Sequence, residues 1–172
     1  MKLRPRQAPR ASTVLLNIEV RKMKLGRGVF ALRRIRGGKN IGEILGDVIT
    51  DPDYSSEYCI DLGGERNLEP VPPFRFLNHS CEPNCELFSW DPLPGEDPSV
   101  ADRMFVAALR TLQPGEELTI DYGWPADAAI PCHCGSKECR GWVVSVEELP
   151  AVLRRENRKK KKAKKAQKTA GA

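Results

Sequence analysis

Six cysteines offer the plainest chemistry in the sequence: Cys59, Cys81, Cys85, Cys132, Cys134 and Cys139. The last three stand in Cys132-His133-Cys134-Gly135-Ser136-Lys137-Glu138-Cys139. This C-x-C-x4-C spacing lets a tight, glycine-bearing loop aim three thiolates at one centre. Tetrahedral Zn2+ takes four ligands, commonly Cys or His in structural sites. The fourth must come from elsewhere, and Cys81, Cys85, His79 and His133 are the candidates; spacing does not choose among them. His133 lies between two ligands, where its side chain tends to point away from the metal. An even count of cysteines also permits disulfides. No export signal places the chain in an oxidising compartment, so zinc is the expectation. Cys59 falls in a predicted strand and reads as a buried thiol.

Three further segments carry groups suited to binding or catalysis: Leu25–Ala31, Arg75–Cys85 and Gly115–Trp124. Gly26 and Gly28 free the backbone to approach a ligand closely, although a lone Gly-x-Gly is an ordinary turn. Asn78 supplies the donors and acceptors that an adenine or a carboxylate requires, and His79 adds ring and backbone groups. The plainer reading of that pair is a capped loop with satisfied polar side chains. Tyr122 offers a phenol, or else is a core tyrosine with a bonded hydroxyl. Cys81 and His79, two apart, share a face of an extended segment and so permit a nucleophile and its base. No oxyanion donor or orienting acid accompanies them.

The elements that must position these groups are short strands. Thr13–Val20 alternates loosely, Val29–Leu32 follows the turn at Gly26–Gly28, and Ile41–Ile49 reads as a strand interrupted by Gly42 and Gly46. Tyr58–Leu62, Met104–Leu109 and Leu118–Ile120 complete the set, the last two flanking the turn Gln113-Pro114-Gly115-Glu116. With 14 Gly and 14 Pro among 172 residues, the pattern predicts a mainly β, α+β fold with no long helix before residue 145. Asp91–Pro98, with three prolines and three acids, reads as an exposed excursion. Pro150 can begin a helix; repulsion across Lys159–Lys165 predicts helix near 150–158 and disorder beyond.

No apolar run reaches the roughly 18 residues of a membrane helix, and the basic N-terminus lacks the apolar stretch of a secretory signal. The net charge of +5 hides a partition. Residues 1–10 hold four basic side chains and no acid, and 154–172 hold ten against one. The remaining 11–153 hold 14 basic against 22 acidic residues, a net of −8. An acidic body attracts cationic partners, and a Lys-rich end attracts polyanions.

Taken in order, Gly26-Arg27-Gly28-Val29-Phe30, Asn78-His79-Ser80-Cys81-Glu82-Pro83-Asn84-Cys85, Glu117-Leu118-Thr119-Ile120-Asp121-Tyr122-Gly123 and the Cys132–Cys139 loop with Arg140-Gly141-Trp142 resemble a SET-domain protein lysine methyltransferase with a post-SET zinc segment. The resemblance covers about 13–143 and implies a fold of small β-sheets with a pseudoknot, closed by a C-terminal zinc loop. It divides the chain into a basic disordered arm, 1–12, a SET domain, 13–124, a post-SET zinc segment, 130–143, and a Lys-rich helix or tail, 144–172. It also implies S-adenosylmethionine as cofactor, contacted by Gly26, Arg27, Gly28, Phe30, Asn78, His79, Tyr122 and Trp142. Tyr122 is the implied catalytic residue, and Tyr58, Ile120 and Trp124 the implied substrate-channel residues. The implied metal set is Cys85, Cys132, Cys134 and Cys139 on one structural zinc, with Cys81 outside it. Trp142 packs over the cofactor or closes the lysine channel, or else anchors the C-terminus. Ile120 stands where relatives often carry Phe or Tyr, so higher methylation is expected not to be blocked.

The chemistry suits those residues. Methyl transfer to an amine needs donor and acceptor in line and the amine uncharged. A free lysine has a pKa near ~10.4, and an apolar channel beside a sulfonium lowers it. The expected substrate is a basic protein tail, histone-like or ribosomal, attracted by the acidic body. The chain's own Arg154–Lys168 segment is a further acceptor, or a nucleic-acid contact. The rival is a catalytically silent zinc-containing module that docks on nucleic acid through its basic ends. The expected location is intracellular: cytoplasmic or nucleoid-associated in a bacterium, nuclear in a eukaryote.

Overall fold

The computed structural model describes residues 17–24, 26–89, 95, 97 and 103–170, and only the backbone at 165, 166 and 168–170. The predicted N-terminal arm, the start of the Thr13–Val20 strand and most of the Asp91–Pro98 loop lie outside the described residues. Those residues form twelve strands, one 3-10 turn at Phe74–Phe76 and one α-helix. The strands are β1 (Ile18–Lys22), β2 (Arg27–Ala31), β3 (Asn40–Ile44), β4 (Gly46–Ile49), β5 (Ile60–Gly63), β6 (Arg66–Pro70), β7 (Asn78–His79), β8 (Cys85–Ser89), β9 (Met104–Ala108), β10 (Glu117–Ile120), β11 (Ile130–Pro131) and β12 (Trp142–Val143); the helix, α1, is Leu149–Ala170. They assemble into small sheets ordered β1-β2-β10-β7, β3-β9-β8, β4-β6-β5 and β11-β12.

The described residues fall into two compact units. One is built from segments up to Asn78 and from Asn84–Thr119, the other from His79–Pro83 and from Ile120 onward. The chain passes from one unit to the other within β7 and β10. In the first unit β9 is the central strand of its sheet, and Phe105, Val106, Ala107 and Ala108 are all buried. An apolar run without alternation is what a strand covered on both faces requires. Asn84, also buried, donates from Nδ2 to the Glu117 carbonyl at 2.7 Å and accepts the Thr119 N–H at 2.9 Å. Its amide is thereby satisfied, and β10 is held in place.

Several expectations shift. The interrupted Ile41–Ile49 strand is two strands in different sheets: β3 pairs with β9, and β4 with β6. The Tyr58–Leu62 strand begins only at Ile60. Ser56 explains the delay. Its hydroxyl accepts the Tyr58 N–H at 3.1 Å, and its carbonyl accepts the Cys59 thiol at 3.3 Å. Such local bonds hold a turn against the ladder. Cys59 is therefore half-buried beside the strand rather than within it. β6, Arg-Asn-Leu-Glu-Pro, has no β-branched residue, yet it is the middle strand of its sheet; its neighbours, not its propensity, make it a strand.

In the second unit α1 extends well past the predicted 158. Ser145 starts it: the side-chain oxygen accepts the Glu148 N–H at 3.3 Å, and its carbonyl accepts the Leu149 N–H at 3.1 Å. Pro150 sits in the first turn, where no N–H is needed. Val152 is fully buried, and from Asn157 onward the described side chains are exposed. Lys, Ala and Gln are good helix formers, Lys159 pairs with Glu156 at 2.8 Å, and cations near a helix C-terminus meet the favourable end of its dipole. These terms offset the repulsion on which the expectation of disorder rested.

Candidate active site and metal centre

In the first unit, Asn78 closes the end of β7 against β2 and β10. Its Nδ2 donates to Glu117 Oε1 at 2.7 Å and to the Arg27 carbonyl at 2.9 Å. Gly28 lies beside this junction. A Cβ there would come within 2.6 Å of both Glu117 Oε1 and Met23 Sδ. Glycine thus gives the Glu117 carboxylate its place against the Asn78 amide. Gly26 sits in the preceding turn, with its carbonyl accepting the Met23 N–H at 3.0 Å. Phe30, half-buried, lies under the Arg21 guanidinium at 4.8 Å, and the Arg27 guanidinium stacks over Phe76 at 5.0 Å. Tyr58 lies under Arg75 at 4.0 Å, and Arg75 is itself paired with Glu69 at 2.8 Å.

Glu117 and Met23 escaped the sequence reading. Glu117 belongs to the same string as Tyr122, which was the available signal. Gly28→Ala is expected to push Glu117 off Asn78 and to cost about 1–2 kcal/mol in urea unfolding, the range for crowding plus a lost charged hydrogen bond. Met23→Ala in the same chain should recover only part of that, because the Glu117 clash remains.

In the second unit, His79 and Tyr122 come together. Their ring centroids are 5.4 Å apart at 57°, and the Trp124 ring lies 5.3 Å from the phenol ring at 35°. His79 Nδ1 accepts the Tyr122 N–H at 3.2 Å. Its proton therefore sits on Nε2, which faces Cys81 Sγ at 3.4 Å. Burial holds the His79 pKa below its ordinary value, assisted by the Arg140 charge and opposed by Asp121, so the ring is neutral near pH 7. Asp121 Oδ1 lies 3.5 Å from His79 Nδ1 and also takes Arg140 Nη2 at 2.7 Å and the Gly123 N–H at 3.1 Å. Ile120 is buried at the end of β10, with its carbonyl accepting the Ser80 N–H at 2.9 Å. Trp142 is half-buried opposite Pro131 at the base of the cysteine loop.

The metal set requires a correction. The four thiols that converge are Cys81, Cys132, Cys134 and Cys139, with all sulfurs within 4.8 Å of one another. Cys85, assigned by resemblance, lies instead in β8 opposite Ala108, buried in the first unit. The physical reason is strand geometry. Once Cys85 enters the ladder its side chain is committed to a sheet face, whereas Cys81 lies in the bend before β8. Thiol acidity does not separate the two positions: burial raises the pKa of both Cys81 and Cys85, the latter to about 12.

The cluster fits zinc. A Zn–S bond of about 2.3 Å sets a tetrahedral S···S edge of about 3.8 Å, and Cys81 Sγ stands 3.7 Å from Cys132 Sγ. Donors already surround the sulfurs. The Arg140 N–H reaches Cys81 at 3.4 Å, the Gly141 N–H reaches Cys139 at 3.4 Å, and the Ser136 hydroxyl lies 3.2 Å from Cys134. Such outer contacts orient thiolate ligands. Gly135, at φ +74°, makes the reversal that returns Cys139 to the others.

Small sheets, an aromatic cluster around a phenol and a four-thiol centre define a class, and comparison with known proteins gives the family. Residues 26–123, more than half of the chain, match the SET domain family model. The chain belongs to the SET-domain family. It is 33% identical over 149 residues to histone-lysine N-methyltransferase ash1 of Drosophila melanogaster, covering 74% of this chain and 6% of that protein. It is 31% identical over 150 residues to histone-lysine N-methyltransferase ASHH1 of Arabidopsis thaliana, covering 77% of this chain and 28% of the relative. A crystal structure of KRYPTONITE in complex with mCHH DNA, an H3(1-15) peptide and SAH superposes with a TM-score of 0.62 at 30% identity, over 74% of this chain and 29% of that one. The chain thus spans less than a third of each of these proteins.

Proposed function

We propose that this chain is an S-adenosylmethionine-dependent protein-lysine N-methyltransferase acting on basic, histone-like protein tails. Tyr122 carries the proposal: its phenol ring packs against both His79 and Trp124, with its backbone fixed by the His79 ring. A phenol hydroxyl held this way can donate to or accept from an amine and so orient it. Desolvation in a channel and the positive sulfonium of a bound cofactor would both disfavour an ammonium, so a lysine delivered there would lose its proton to solvent more readily. S-adenosylmethionine supplies the methyl group when bound. The residues assigned to hold it are Gly26, Arg27, Gly28, Phe30, Asn78 and His79, with Tyr122 and Trp142. The Asn78 amide, now donating to Glu117 and the Arg27 carbonyl, is the most versatile of these groups for an adenine or a carboxylate. Tyr58, Ile120 and Trp124 are assigned to the lysine side.

The SAH and H3 peptide bound to KRYPTONITE support a cofactor and a substrate of these kinds. The net −8 of residues 11–153 favours a cationic tail. The chain's own Lys-rich helix, tethered at high effective concentration, is a second acceptor, and a histone substrate would place the protein in a nucleus. Among the described residues no helix is long and apolar enough to cross a membrane. The test is calorimetric titration with S-adenosylmethionine, followed by transfer of its labelled methyl group to histone and ribosomal proteins. Absence of both cofactor binding and label on any basic protein would leave the silent zinc module as the better account.

Ile120 carries a second expectation. It offers no hydroxyl to restrain a methylated amine, so mass spectrometry at exhaustive turnover should show di- or trimethyl-lysine. Product that stops at one methyl group would overturn this, and Ile120→Tyr should then change nothing.

A further inference from the structure

We infer that the first unit carries a phosphate-binding pocket for the backbone of a nucleic acid, formed by Arg34, Arg36 and Lys39 with Asn17 and Asn40. A cavity of about 380 Å³ opens there. It lies on no motif assigned above to cofactor, lysine or metal, and it stands independently of the methyltransferase proposal.

The backbone explains why three cations converge. Ile35 is bridged to Leu112, its N–H donating to the Leu112 carbonyl at 3.1 Å and its carbonyl accepting the Leu112 N–H at 2.8 Å. Arg34 and Arg36 flank this pinned residue, and side chains two apart on an extended segment face the same way. A turn then follows, closed by the Lys39 N–H on the Arg36 carbonyl at 3.2 Å, and the Lys39 carbonyl accepts the Ala108 N–H at 2.9 Å. That turn returns Lys39 toward the arginines. Asn17 is held by its carbonyl, which accepts the Leu32 N–H at 2.8 Å. The scaffold is therefore fixed while the cationic ends stay exposed.

No carboxylate lines the cavity, and among the described residues none of the three cations has an acidic partner. Arg21, Arg75, Arg103, Arg110 and Arg140, by contrast, are all paired. Like charges gathered without a counter-charge repel one another and are relieved by an anion. Two guanidinium forks and two carboxamides supply directional donors for the oxygens of a phosphate. A second cationic surface on the same chain favours a long, evenly charged partner: Arg154, Arg155, Arg158, Lys159 and Lys162 line one face of α1.

The test uses the full chain and a labelled 16-base-pair duplex, titrated from 50 to 300 mM salt. Arg34→Gln/Arg36→Gln/Lys39→Gln should reduce the slope of log K against log salt by about 2–3, at roughly 0.9 per phosphate contact, and weaken binding on the order of 100-fold at 0.15 M. The charge-keeping Arg34→Lys/Arg36→Lys/Lys39→Arg variant should restore most of the slope. Lys22→Gln/Lys24→Gln/Lys137→Gln removes the same net charge from exposed positions outside the pocket and should change the slope by less than about 1. Equal losses in the two glutamine variants, or an unchanged slope in the first, would overturn the pocket. Tighter binding of poly-glutamate than of duplex through the same three residues would overturn the nucleic-acid assignment in favour of an acidic protein. Inorganic phosphate is titrated in parallel: saturation that shifts the Asn17 and Asn40 amide resonances, with no duplex binding, would likewise overturn it in favour of a free phosphate.

Discussion

Tyr122→Phe is expected to abolish most methyl transfer while leaving the protein folded and able to bind its cofactor. The substitution removes one oxygen and keeps the ring that packs against His79 and Trp124. Deleting a single preorganised polar group that acts in a transition state costs on the order of 10²–10³ in kcat. A loss of that size should appear in single-turnover assays with labelled S-adenosylmethionine. The calorimetric Kd for the cofactor should move by less than about threefold, because the backbone contact from Tyr122 to His79 is unaffected. A kcat within threefold of the parent would remove Tyr122 from the chemistry. Loss of cofactor affinity in step with activity would make it a structural residue instead. Trp124→Ala supplies the contrast: it strips one face of the aromatic wall and should raise KM for the lysine substrate more than it lowers kcat.

The second large effect concerns the cysteines, and here two substitutions should diverge. Cys81→Ser is expected to reduce zinc content well below one ion per chain as purified. Cys85→Ser should retain the full ion, measured by elemental analysis. Cys81 Sγ belongs to the four-sulfur group, whereas Cys85 is 1% exposed within β8. A ligand that binds only the folded state at about a thousand times its Kd stabilises by about 4 kcal/mol. For a chain of this size that corresponds to roughly 8–16 °C in Tm. Chelation of the parent and Cys81→Ser should both show a loss on that scale. Cys85→Ser should show only the cost of a hydroxyl placed in an apolar ladder, about 1–3 kcal/mol, with zinc retained. The reverse pattern would return Cys85 to the metal and make its place in β8 incompatible with the zinc-bound protein.

Much of the site was legible before any coordinates. C-x-C-x4-C marks a metal loop because three thiolates on one short turn can converge on a single ion. The proximity of His79 and Tyr122 was implied by ordered motifs rather than by periodicity. Residues 43 positions apart meet because the Tyr122 N–H finds the His79 ring. Helix α1 was legible at its start through Pro150, whereas the Ser145 cap on the Glu148 N–H emerged only with the fold. The helix length was not legible, since the opposing terms of charge repulsion, propensity and dipole nearly balance.

The sequence by itself determined the kinds of chemistry on offer: a cysteine-rich metal loop, a phenol, a histidine, glycines before a strand, and an acidic body with a basic end. Only the tertiary structure decided which cysteine completes the centre, which carboxylate holds Asn78, and which three cations share a cavity. Local patterns set what a residue can do, through its donors, charge and backbone freedom. Partner choice depends on strand register and on turns that close over long separations. A shift from the bend at Cys81 into the ladder at Cys85 turns a candidate ligand into a core side chain.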